Sequence, residues 1–103
     1  MIFTVSQITD VVIPIAKAHG VTEVHLFGSY ARGTATEGSD IDLVIDLGKI
    51  RTFIQLSRFV EDIEEATGKK VDILTNNQIK EDKILRSVIE KEWKQIFWSN
   101  TFK

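Results

Sequence analysis

The sequence predicts an α/β sandwich, one small mixed β-sheet with helices packed on one face. Segments with helical apolar spacing alternate with segments of strand-like alternation. Glycines fall at the ends of the helical segments, where chains reverse. The 103 residues, 43% of them hydrophobic, suit one domain over 1–103 with a single modest core.

The first helical segment runs from about Ser6 to His19, with Ile8, Val11, Val12, Ile15 and Ala18 on one stripe. Ser6 is its expected N-cap and Gly20 its expected C-terminal stop. Pro14, whose ring crowds the carbonyl of Asp10, predicts either a kink or a helix that properly begins near Pro14. Val21 to Phe27 reads as a strand ending at Gly28. Tyr30 to Gly38 is small and polar, and is expected to be a loop. Ile41 to Leu47 is a second strand, with Ile41, Leu43, Ile45 and Leu47 on one face and Asp40, Asp42, Val44 and Asp46 on the other.

Phe53, Leu56, Phe59, Val60 and Ile63 mark a second helix, stopped at Gly68. Val71 to Leu74 is a short third strand, and Asn76-Asn77 is an expected turn. Ile84, Leu85, Val88 and Ile89 lie in a helix from about Ile79 to Lys91. Trp93 to Trp98 fits either a helix extension or a fourth strand, and its aromatic content favours the strand. The sheet face opposite the helices is expected to be open and to carry the acids.

The formal charge is −2, so the chain lacks the basic balance that strong non-specific nucleic-acid binding requires. It has no cysteine, which excludes disulfides, thiolate nucleophiles and cysteine-based zinc sites. No apolar run reaches membrane-spanning length and no signal pattern opens the chain, so a cytoplasmic protein is expected.

The chemistry concentrates in three places. Asp40 and Asp42 are two apart on a strand, so both carboxylates point the same way, about 6.5–7 Å apart at Cα. Such a pair suits Mg2+, a hard ion that keeps oxygen ligands and substrate phosphates. Two ions, about 3.5–4 Å apart, can clamp an in-line displacement at phosphorus. Asp72 can complete the set if its strand lies beside that of Asp42, and can accept the proton of an attacking hydroxyl. Gly28 allows close backbone approach to a ligand. The Ser29 hydroxyl and the amides after it can donate to phosphate oxygens, and Arg32 is near enough to add charge. Ser39 stands either as a ligand contact or as a local loop bond. Asp46 lies too far along the strand to join the pair, and His25 reads as a structural histidine. The pattern Gly-Ser, ten residues, Asp-x-Asp has four specified positions and arises by chance in such a chain about once in a thousand.

The stretch LFGSYARGTATEGSDIDLVI, with KKVDIL downstream, resembles the signature of the DNA polymerase beta-like nucleotidyltransferase superfamily, and most closely its minimal nucleotidyltransferase (MNT) branch. Gly28, Ser29, Asp40 and Asp42 match the motif, and Asp72 stands as the third acid. The resemblance implies the polymerase beta-like fold and favours the strand at Trp93 to Trp98. It implies Mg2+-dependent transfer of a nucleoside monophosphate, usually AMP from ATP, onto a hydroxyl. It further implies an antitoxin paired with a HEPN-type toxin, whose tyrosine is the acceptor. A chain this short needs another chain to complete the acceptor site, so a homo- or hetero-oligomer is expected. The alternatives are an antitoxin that acts by occlusion alone, and a transferase for a small-molecule acceptor.

Overall fold

The computed structural model describes residues 1–98. Helix α1 (Val5–His19) leads into strand β1 (Glu23–Phe27), short helix α2 (Gly28–Arg32) and strand β2 (Ile41–Asp46). Helix α3 (Phe53–Thr67), strand β3 (Val71–Thr75), helices α4 (Asn76–Glu81) and α5 (Lys83–Glu92), and strand β4 (Lys94–Trp98) follow. The sheet order is β3-β2-β1-β4. β1 runs antiparallel to both β2 and β4, whereas β2 and β3 are parallel, joined by the α3 crossover. The mixed α/β sheet read from the sequence is the one found, including the strand at the aromatic segment, but helices cover both of its faces where one was expected. No helix among the described residues is long and apolar enough to cross a membrane.

Alternation along β2 sends Ile41, Leu43 and Ile45 into the main core, against Ile8, Val12 and Ala16 of α1 and Phe59 and Ile63 of α3. All eight are fully buried. The α1 stripe is therefore shifted from the expected one, since Ala16 is buried and Ala18 is exposed. Thr4, not Ser6, caps α1, and its hydroxyl and the Gln7 side chain form a reciprocal capping box. Pro14 does not end α1. Both Pro14 and Asp10 are exposed, so the carbonyl that loses its partner can turn to water.

Thr52 caps α3 in the same way with Gln55. Because α3 presses Phe59 and Ile63 onto the sheet, Thr52→Ala is expected to lower stability by about 1 kcal/mol. Chemical denaturation measures that loss, with the slope unchanged from the parent.

Further expectations are corrected. The segment from Tyr30 is not all loop: Gly28–Arg32 forms α2, and Tyr30 and Ala31 are buried because they face the core. Asn76-Asn77 is no turn but the first turn of α4, capped by Thr75. The expected single helix is split at Asp82, whose backbone is extended and whose carboxylate caps α5 through the Leu85 amide at 3.0 Å. That split folds α4 and α5 onto the second face of the sheet. Val44 is fully buried there against Ile79 and Ile89. The face of the acids is thus covered in its middle at Val44, with Asp40 and Asp42 at one end and the exposed Asp46 at the other.

Candidate active site

The site lies where β1 ends. Phe27 is the cross-strand partner of Asp42, and Asp42 is the parallel partner of Asp72 on the next strand. Asp40 immediately precedes β2. Backbone register therefore brings the three acids singled out in the sequence to one end of the sheet, beside Gly28 and Ser29. Among the described residues no three acidic or histidine side chains are drawn in tightly enough to hold an ion as they stand.

Gly28 has φ +73°, in the left-handed region, and a Cβ built there would lie 2.3 Å from Asp42 Oδ2. The backbone turn thus presses against the carboxylate, and only glycine leaves it room. Ser29 follows in the first turn of α2, whose start has no side-chain cap. Its first amides are left for another acceptor, an arrangement suited to phosphate oxygens.

Asp42 is half-buried, and its carboxyl is pushed up to about 6. Burial is the largest cause, and the like charges of Asp72 and Asp40 add to it, while Arg32 opposes it. A cluster of carboxylates that repel one another at the end of a sheet is what a divalent cation relieves, so the donor set fits Mg2+.

Two expected phosphate-side residues are engaged within the chain. Arg32 Nη1 donates to Glu92 Oε2 at 2.9 Å. The Ser39 hydroxyl accepts from the Thr36 amide at 2.8 Å, which fixes the loop before the acids. Sequence reading missed Glu92, which is 60 positions from Arg32 and belongs to no local pattern. His25 is buried and structural, stacked on Trp93 with centroids 4.0 Å apart. Burial lowers its pKa, against the opposing charge of Glu23. Asp46 accepts from the Gly48 amide and takes no part in the acid group.

Between α3 and β3 a groove of about 390 Å³ reaches Asp72, with Phe53, Leu56, Val60, Val71 and Ile73 lining it beside the polar Ser57, Glu61 and Glu64.

Comparison with known proteins gives the family. The nucleotidyltransferase domain profile matches residues 10–94. A candidate protein adenylyltransferase of Methanocaldococcus jannaschii is 38% identical over 89 residues, spanning 84% of this chain and 96% of that protein. The protein adenylyltransferase MntA of Thermococcus cleftensis is 34% identical over 78 residues, covering 73% of this chain and 79% of its own length. A solved candidate minimal nucleotidyltransferase superposes with a TM-score of 0.69 at 31% identity, over 84% of this chain and 86% of the other. The fold is also that of the Shewanella oneidensis MNT antitoxin solved with its tri-AMPylated HEPN toxin, with a TM-score of 0.66 at 17% identity over 91% and 72% of the two chains. With that profile matched over residues 10–94, the chain belongs to the nucleotidyltransferase domain family.

Proposed function

We propose that this chain is a protein adenylyltransferase that moves AMP from ATP onto a tyrosine hydroxyl of a HEPN-type toxin, acting as its antitoxin. The observation that carries the reading is the gathering of Asp40, Asp42 and Asp72 at the strand ends beside Gly28-Ser29. The names of the archaeal relatives and of the Shewanella fold neighbour support the protein acceptor.

Ser29 and the first amides of α2 hold the phosphates, and Arg32 adds positive charge. Asp40, Asp42 and Asp72 are the residues that would hold two Mg2+ ions. Bound there, the ions supply charge neutralisation for the leaving pyrophosphate and acidify the acceptor hydroxyl. The acceptor oxygen forms a bond to the α-phosphorus as the bond to the β-phosphate oxygen breaks, and pyrophosphate leaves. Asp72, the most open of the three acids, takes the hydroxyl proton on its carboxylate. Ser39 holds the loop that aims Asp40 and Asp42. Most of the catalysis is positioning and charge neutralisation.

The test is to incubate the chain with α-³²P-ATP, Mg2+ and the protein encoded beside it. The expected result is label on a tyrosine of that partner and loss of its ribonuclease activity. Label on no protein, with nucleotide binding intact, would refute the reading.

A further inference from the structure

The guanidinium expected to meet the triphosphate is already engaged. Arg32 closes α2 and Glu92 closes α5, and the two helix ends meet through a 2.9 Å ion pair. The side chains are 47% and 32% exposed, so the pair is accessible to an incoming anion. Helix C-termini carry partial negative charge, which suits Arg32 and disfavours a carboxylate such as Glu92. The end of α5 therefore gives Glu92 no helical reason to be acidic; its electrostatic partner is Arg32. A carboxylate and a phosphate compete for the same planar fork of donors. Arg32 ends the five-residue helix whose first residue, Gly28, abuts Asp42, so an arginine released from Glu92 stays near the acids.

The structure assigns Glu92 as a placeholder anion that parks Arg32 at the mouth of the site and yields it to the nucleotide triphosphate. Glu92 is a positioning residue that sets nucleotide affinity, and the assignment rests on Arg32 being a phosphate ligand as argued above. Two consequences follow from the charge balance. Neutralising Glu92 removes both a competitor for Arg32 and a negative charge from the path of an anion, so binding tightens. An exposed ion pair shifts an equilibrium by only about two- to fivefold, which sets the scale of the effect. Salt screens such charges, so the gain shrinks as ionic strength rises.

The experiment is calorimetric titration of the whole chain with α,β-methylene-ATP and Mg2+, in parent, Glu92→Gln, Glu92→Asp, Arg32→Gln and Arg32→Gln/Glu92→Gln forms. Circular dichroism melts establish that each is folded. Glu92→Gln is expected to bind about two- to fivefold more tightly at low salt, with the gap closing at high salt. Glu92→Asp keeps the charge and stays near the parent. Arg32→Gln binds more weakly, and on that background Glu92→Gln brings no gain. Unchanged or weaker binding by Glu92→Gln overturns the assignment. So does a gain that persists without Arg32, since it would mean a general field and no exchange of partners. Parental affinity in Arg32→Gln overturns it too, by removing the phosphate role of Arg32. None of these outcomes decides whether AMP reaches a protein tyrosine, which the labelling experiment reads separately.

Discussion

Asp42→Asn is expected to reduce nucleotidyl transfer by on the order of 10³-fold while making the ion-free chain more stable. The loss follows from the position of Asp42 between β1 and β3, opposite Phe27 and level with Asp72. It is the central member of the acid group, and removing one preorganised charge from such a site costs about 10²–10³ in rate. The gain in stability has the same cause. Burial and the neighbouring acids hold the Asp42 carboxyl up at about 6, from an ordinary value of 3.8. Between those two values the folded chain keeps a proton that the unfolded chain releases, so stability falls as pH rises through that window. Above it the full cost of the ionised carboxylate is present, and asparagine removes it. After discounting for solvent screening of a half-buried group, the gain is about 1 kcal/mol, or about 4–8 °C in melting temperature. Thermal melts of both chains in EDTA check the sign. The variant should melt higher than the parent at pH 8, and the two should converge near pH 4. A variant that melts lower at pH 8 would mean that the carboxylate is not under strain.

Gly28→Ala carries the second large effect. The left-handed backbone at Gly28, φ +73°, costs an L-residue about 1–2 kcal/mol. The new methyl also meets Asp42 Oδ2 at 2.3 Å, so the carboxylate must move. A displacement of about 1 Å at a reacting group costs about 100-fold in rate. Gly33 supplies the control, because its φ of +79° is equally left-handed but an added Cβ has nothing within 4 Å. Gly33→Ala should therefore lose similar stability and keep most of its kcat. Denaturation curves and initial rates for the two variants separate backbone strain from the collision. Equal losses of kcat would place the Gly28 effect in the backbone alone.

The elements whose pattern is local were legible in the sequence. The alternation in β2 and the later part of the α3 stripe declare which face is buried, because side-chain period follows directly from backbone geometry, whereas Phe53 at the start of that stripe is exposed. The errors fell where two local signals compete or where a distant contact decides. Ser6 and Thr4 are both cap residues, and Gln7, three residues after Thr4, settles the reciprocal bond at Thr4. Asn76-Asn77 has turn chemistry, yet Thr75 and Gln78 close a capping box around it and begin α4. Asp82 looks like any helix-surface acid, but its extended backbone splits α4 from α5 and lets both fold onto the sheet.

By itself the sequence determined the strand parity that puts Asp40 and Asp42 on one side, the glycine that can turn sharply before Ser29, and the helices that bury Ile41, Leu43 and Ile45. These depend on residues a few positions apart, and short-range sterics and periodicity specify them. Only the tertiary structure decided that Asp72 stands level with Asp42, that Val44 is covered by Ile79 and Ile89, and that Arg32 is held by Glu92. Those are contacts between residues far apart along the chain, set by sheet register and helix docking, and no local spacing encodes them.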